Sequence, residues 1–361
     1  MVRQRGVLTL ERSPAMAFPH MKTVRKAPVT LTVASSVTPN LSDIFRLAGL
    51  SADLRAVEQR IGERTHSRSP LLAAAGQHTV AAGGKRLRAA LVLLAAHLGT
   101  YKLERAMHPA AAVELLHAAT LVHDDLVDHA AQRRGRSTVH TRWDSHVALM
   151  LGDYLFAAAA FELSAEPDPR VIHFYAEAAR TIVEGELHPV TQLVPLETAL
   201  GQYRRKIGAK TAVLFEAACK AGLAVAGGSE ADISIIGRFG YELGLAFQIV
   251  DDILDFVGDE ATLGKPAGND LREGTLTLPL IYAVARSTNP LLRELARSAV
   301  PDPDSVPQLV RAVIEAGGIE EARTEARATA DRAHQLLEYF PRSGARDACA
   351  DLLSFVLMRQ V

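Results

Sequence analysis

From Leu41 onward, apolar and polar positions recur at helical spacing in long segments, and Gly and Pro punctuate them where strand-type alternation would not. The pattern predicts helices over Ala89–Leu98, Ser145–Leu163, Pro169–Glu186, Leu200–Val225 and Leu278–Arg286. Pro109 suits the first position of a helix and is expected to open a segment through AAAVELLHAATLVHDDLVDHA, roughly 30 Å long at ~1.5 Å per residue. A further helix is expected from Asp232 to Val257, stopped by Gly258. VPDPDSVP at 300–307 reads as a surface connection, and Ile319 to Phe340 as a charged, Ala-rich amphipathic helix on the outside. No repeat or linker splits the chain, so the fold class is all-α, with 41–361 as a single domain.

Composition narrows the picture. Ala, Leu, Glu and Arg dominate this part of the chain and aromatics stand at 5%, which suits helix formation. A hydrophobic share of 48% supplies a large core. A formal net charge of −1 argues against a general nucleic-acid binder. The two cysteines, Cys219 and Cys349, lie far apart and outside any metal-ligand spacing, which suits a reducing, cytoplasmic compartment. No stretch holds the roughly 18 uninterrupted apolar residues of a membrane span. The nearest, Val147 to Phe161, is broken by Asp153, so no transmembrane segment is expected. Val2 to Asn40 has many Arg, Lys, Ser, Thr and Pro and one acid, Glu11. Residues 1–40 read as a disordered extension, or as the result of a start codon upstream of Met16 or Met21, with a transit-like leader as the alternative.

The candidate chemistry lies in two acidic strings, Asp124-Asp125-Leu126-Val127-Asp128 and Asp251-Asp252-Ile253-Leu254-Asp255. On a helix, Asp124 and Asp128 share a face, as do Asp251 and Asp255. Like charges at that spacing repel, so a cation is needed to offset them. Hard divalent ions such as Mg²⁺ fit, because they bind through one or two carboxylates plus substrate phosphates. One DDxxD arises by chance in roughly 8% of chains this long and two in under about 1%, so a pair is not expected from a merely solvated helix end. Gly83-Gly84-Lys85-Arg86-Leu87-Arg88 combines close backbone approach with the cations Lys85 and Arg88, and Arg133-Arg134-Gly135 follows the first acidic string. Two acidic and two basic clusters are what two polyanionic substrates require.

GGKRLR, ELLHAATLVHDDLVDHAAQRRG, LGDYLFA, KTAVLF and FQIVDDILDFVGDEATLGKPAGNDLREGTLTLP, in this order, resemble the trans-type polyprenyl diphosphate synthase family from about residue 45 to the end. The resemblance implies a helical bundle around a deep pocket, an Mg²⁺-dependent prenyltransferase with three ions per site, and a homodimer. Its substrates would be isopentenyl diphosphate and an allylic diphosphate. It assigns Asp124, Asp125 and Asp128 to Mg²⁺ on the allylic diphosphate, and Asp251 and Asp252 to a further Mg²⁺, with Asp255 in support. Lys210, Lys265 and Arg133 would contact the allylic diphosphate. Lys85, Arg88, His117 and Arg134 would grip isopentenyl diphosphate. Thr211 and Gln248 would steady the developing cation. Thr275 departs from short-chain relatives, many of which carry lysine there, and leaves Lys265 as the main cation of its loop. His123 reads as a supporting residue and Asp153 as a structural one.

Ala119 and Thr120, five and four positions before Asp124, are small where short-chain relatives carry bulky aromatics. Their size implies a pocket deeper by about one turn, ~5.4 Å, before Leu116, and a product longer than farnesyl diphosphate. Two rival functions are a class I terpene cyclase, which has no need of the GGKRLR site, and a non-catalytic subunit of a heteromeric synthase, which tends to lose carboxylates.

Overall fold

Leu87 to Ala96 carries apolar side chains around its whole circumference apart from Arg88, and such a helix is stable only inside a protein. It lies at the centre of the computed structural model, which describes residues 40–257, 267–298 and 301–359. The helices in chain order are α1 (Leu41–Leu47), α2 (Ser51–Arg64), α3 (Pro70–Ala81), α4 (Leu87–Ala96) and α5 (Leu103–Val127). A two-strand antiparallel hairpin follows, β1 (Gln132–Arg133) with β2 (Arg136–Ser137). Then come α6 (Val139–Arg142), α7 (Ser145–Ser164), α8 (Pro169–Glu186) and α9 (Leu196–Ile207). A π-helical turn, Gly208–Ala212, leads directly into α10 (Val213–Val225), and α11 (Glu230–Val257) follows. The remainder is α12 (Asn269–Arg272), α13 (Leu278–Arg286), α14 (Pro290–Ser298), a 3₁₀ turn at Pro303–Ser305, α15 (Val306–Glu315), α16 (Gly318–Leu337) and α17 (Gly344–Met358). The all-α expectation therefore holds.

The two helices that carry the acidic strings are the best supported. α5 packs on α7, α4, α10 and α2, and α11 packs on α16, α10 and the π-turn. Small residues set the spacing. A Cβ on Gly240 would lie 2.6 Å from the Phe215 carbonyl oxygen, and one on Gly244 would lie 2.6 Å from Ala212 Cα. Glycine at both positions lets α11 press onto α10 and the π-turn, and so brings Gln248, one turn before Asp252, onto Thr211.

Four sequence expectations need correction. α5 opens at Leu103, and Pro109 lies inside it. The proline costs the Arg105 carbonyl one amide partner, while the Pro109 carbonyl accepts the Tyr175 hydroxyl at 3.0 Å. Leu200–Val225 is helical throughout but not uniformly α, because one extra residue at Gly208–Ala212 widens a turn. The 300–307 stretch is not all surface: Val306 starts α15 and is fully buried. α16 is charged on one face only, and its stripe of Ile319, Ala322, Ala326, Ala330, Ala333 and Leu337 is buried, with the helix packed on α11. Gly258 lies outside the described residues.

Two helices, Ser145–Ser164 and Glu230–Val257, do have the length and mean hydropathy of a membrane span, 1.5 and 1.2. Within the fold, 44% and 56% of those windows are buried against other helices. Both cysteines are unpaired and buried.

Candidate active site

The first acidic string ends α5, with Asp128 as its C-cap. Burial pushes the Asp124 carboxyl up to about 6, against the pull of Lys210. Asp125 is buried and accepts a hydrogen bond from Arg133 Nε at 2.7 Å, while Asp128 is exposed. The chain reverses just beyond, with Arg134 at φ 51° and Gly135 at φ 72°. This left-handed turn brings Arg133 back onto Asp125 and sets Arg134 against Gly84, where a Cβ would lie 3.1 Å from its guanidinium.

The second string sits in the last turns of α11. Asp251 accepts from Arg359 Nη1 at 2.6 Å. Asp252 is buried and has both oxygens engaged: Tyr203 Oη donates to Oδ2 at 2.6 Å and Gln248 Nε2 to Oδ1 at 2.9 Å. Gln248 Oε1 in turn accepts from Thr211 Oγ1 at 2.8 Å. Burial raises Asp252 to about 7. Asp255 accepts the Asp270 amide at 3.2 Å, and the Asp270 carboxyl is pushed upward by burial and by Asp255 and Asp252 beside it.

Two lysines link these walls. Lys206 on α9 and Lys210 in the π-turn lie one turn apart. Burial opposes the charge on Lys210, but Glu186, whose Oε1 is 3.3 Å away, and Asp124 raise its pKa overall. Lys206 is held low by burial and by Lys210, and interacts with Asp252 and Asp270.

A cavity of about 570 Å³ opens between the GGKRLR loop, α5, the hairpin and α11. Lys85, Arg86, Arg88, His117, Arg134 and Arg359 all line it. Left-handed backbone at Gly83 and Arg86, φ 68° and 48°, turns that loop into α4. Arg88 is half-buried with its Nε fully enclosed and without a hydrogen-bond partner, and desolvation pushes its pKa down to about 10. Desolvation, together with Arg88, Arg134, Arg133 and Arg86, holds His117 well below the usual imidazole range, which favours the neutral ring. An unpartnered buried guanidinium donor among further cations is a cradle for an anion such as diphosphate.

The carboxylates fit hard divalent cations by donor type. Among the described residues, no three His, Cys, Asp or Glu side chains converge closely enough to enclose an ion, so oxygens of substrate and water must complete any shell.

The other expected residues divide as follows. Lys265 lies outside the described residues. Ala119 and Leu116 are buried in the core, Thr120 is half-buried one turn before Asp124, and none of the three lines the basic cavity. The Thr275 amide donates to the Asp270 carbonyl at 2.7 Å. His123 sits over Gly152 with Nε2 3.3 Å from the Leu149 carbonyl, and Asp153 is exposed beside it at 3.7 Å. Sequence reasoning missed Tyr203, Lys206, Asp270 and Arg359. Tyr203, Lys206 and Lys210 at i, i+3 and i+7 carry a helical signal, whereas Arg359 reaches Asp251 across 108 residues and carries none.

An all-helical fold, two acidic strings and an anion cradle define an isoprenoid synthase. The comparisons agree. Residues 69–313 match the polyprenyl synthetase family model. Heptaprenyl diphosphate synthase component 2 of Geobacillus stearothermophilus is 39% identical over 311 residues, 85% of this chain and 96% of the relative. All-trans-nonaprenyl-diphosphate synthase of Rhodobacter capsulatus is 37% identical over 317 residues, 87% and 97% of the two chains. The crystal structure of a Caulobacter crescentus polyprenyl synthase, complexed with calcium and isoprenyl diphosphate, superposes with a TM-score of 0.83 at 35% identity, covering 91% of this chain and all of that one. The chain belongs to the polyprenyl synthetase family.

Proposed function

We propose that this chain condenses isopentenyl diphosphate with an allylic diphosphate, head to tail, into a trans-polyprenyl diphosphate longer than farnesyl diphosphate, using Mg²⁺. The observation that carries the reading is the pairing of two acidic strings with a cationic cavity, bordered by Asp125 and Arg133, in which the Arg88 Nε has no hydrogen-bond partner. A cyclase would need the first and not the second.

Asp124, Asp125 and Asp128 on one side and Asp251, Asp252 and Asp255 on the other would hold Mg²⁺, three ions in all. When bound, the ions supply Lewis-acid stabilisation of the departing diphosphate. Lys210, with Arg133 and Lys265, holds the allylic diphosphate. Lys85, Arg88, His117 and Arg134 hold isopentenyl diphosphate and orient its double bond. Thr211 and Gln248 line the reaction zone and steady the allylic cation. Buried apolar helices keep out the water that would quench it. No side chain in this group is an evident base, so the released diphosphate takes the proton. The small residues Ala119 and Thr120 support a long product.

Exposed apolar residues on α7 (Met150, Phe161) and α8 (Ile172, Val183) support a homodimer. A second reading, a subunit of a two-part synthase, is favoured by two relatives named component 2 of heptaprenyl diphosphate synthase. Purified protein incubated with Mg²⁺, labelled isopentenyl diphosphate and a set of allylic primers, followed by chromatography, tests both. Products longer than farnesyl from the chain alone support the first reading. No product from any primer overturns it.

A further inference from the structure

We propose that Glu114 weakens the grip of the cationic cavity on diphosphate, so that each lengthened chain can move its diphosphate from that cavity to the acidic strings. The proposal rests on the reading of this chain as a prenyltransferase that elongates over several rounds.

The chemistry of elongation sets the problem. Each round breaks the C–O bond of the allylic diphosphate, forms a C–C bond to isopentenyl diphosphate, and passes a proton to the released diphosphate. The lengthened chain therefore carries the diphosphate that isopentenyl diphosphate brought. That group ends the round in the cationic cavity and must reach the acidic strings before the next one. A cavity that held it too tightly would stay filled, and the next isopentenyl diphosphate would find no site.

Seven lysine and arginine side chains line the cavity against two acids, Glu114 and Asp125. Asp125 is engaged by Arg133 at 2.7 Å. Glu114 is 6% exposed and lies on α5 one turn before His117. Its Oε1 accepts the Ala89 amide at 3.0 Å, and its Oε2 is 3.6 Å from Arg86 Nη1. It is the resident counter-charge of the cavity, favouring the charged forms of both Arg88 and Arg134. The local fold explains why a carboxylate sits there. Arg86, the N-cap of α4, has left-handed backbone and makes no side-chain cap, and a cation at a helix N-terminus is unfavourable. Glu114 supplies from α5 both the acceptor and the negative charge that this cap lacks. An entering diphosphate meets the same cations with a fixed anion already among them, and a buried like charge repels it.

Glu114→Gln tests the charge alone, since the amide oxygen can still accept from Ala89. Calorimetry with inorganic diphosphate in EDTA, which keeps metal off the acidic strings, should show about tenfold tighter binding to the variant than to wild type. With Mg²⁺ and an allylic primer, the variant should show a KM for isopentenyl diphosphate lower by a similar factor, and chromatographed products shorter than those of wild type. A carboxylate that only capped α4 would give neither effect on replacement. Equal or weaker diphosphate binding by the variant, or products of wild-type length, overturns the proposal. A variant that folds only with diphosphate present supports it, because the added anion replaces the lost charge; one that diphosphate does not rescue overturns it. A wild type that forms no product, with the calorimetric difference intact, would instead sink the prenyltransferase reading.

Discussion

Arg359 donates to Asp251 at 2.6 Å and stacks over the Phe247 ring at 4.5 Å, so a guanidinium from the end of α17 neutralises a carboxylate proposed to hold metal. The same side chain lines the cationic cavity. Metal at Asp251 and Arg359 on Asp251 compete for one carboxylate, and Arg359 released from it is free to meet the diphosphate. Arg359→Gln should therefore lower the Mg²⁺ half-saturation concentration severalfold while raising KM for isopentenyl diphosphate about tenfold, the weight of one charge-assisted hydrogen bond. Steady-state titrations of each measure both effects.

Burial lifts Asp124 to about 6 and Asp252 to about 7, and also lifts Asp270, from a usual 3.8. Metal binds the ionised form, so apparent Mg²⁺ affinity should fall as pH drops from about 8 to about 6, with proton release on binding visible in calorimetry. Stability of the metal-free protein should move the opposite way. Between the ordinary carboxyl range and about pH 7 the folded state holds protons that the unfolded state has lost, so stability decreases as pH rises through this window. Thermal melts at about pH 5 and about pH 8, roughly one unit outside the Asp124 and Asp252 values, check the sign. Added Mg²⁺ and inorganic diphosphate should reduce the difference.

Product length is better probed at Thr120 than at Ala119. Ala119 is fully buried in the core, and a phenylalanine there would cost about 1–3 kcal/mol in overpacking before it shortened anything. Thr120 is half-buried one turn before Asp124, and its hydroxyl donates only to the His117 carbonyl, at 2.9 Å. Thr120→Phe should shift the chromatographed products toward shorter chains with melting temperature nearly unchanged. An unchanged product distribution would remove Thr120 from the tail's path.

His123 packs so closely on α7 that a Cβ on Gly152 would lie 2.0 Å from its Nε2. Gly152→Ala should therefore destabilise the protein by about 1–3 kcal/mol in urea unfolding, although alanine is the better helix former. Much of the loss should be recovered in the His123→Ala background, where the clash is gone.

These relationships show what sequence could and could not reveal. The α8 and α13 boundaries were legible because Pro169 begins one helix and Leu278-Pro279 the other, with strong apolar stripes behind them. The acidic strings were legible because repulsion at i and i+4 is unusual enough to demand a cation. The π-turn at Gly208–Ala212 was not, since one added residue leaves the apolar pattern of its flanks intact. Pro109 misled because a proline tolerated in an early turn looks the same as one that starts a helix. Asp270 and Arg359 acquire their meaning only when α12 and the end of α17 fold against α11, a tertiary fact with no local mark, whereas the helical spacing of Tyr203, Lys206 and Lys210 could have been read.

The central claim is that the two acidic strings act together on bound Mg²⁺ to draw diphosphate from its carbon. Rapid-quench measurement of single-turnover condensation, comparing wild type with the Asp124→Ala/Asp251→Ala double variant at saturating Mg²⁺, tests it most directly. The account predicts a loss of at least about 10³-fold with the helical circular dichroism intact. Condensation by the double variant at the wild-type rate would contradict it.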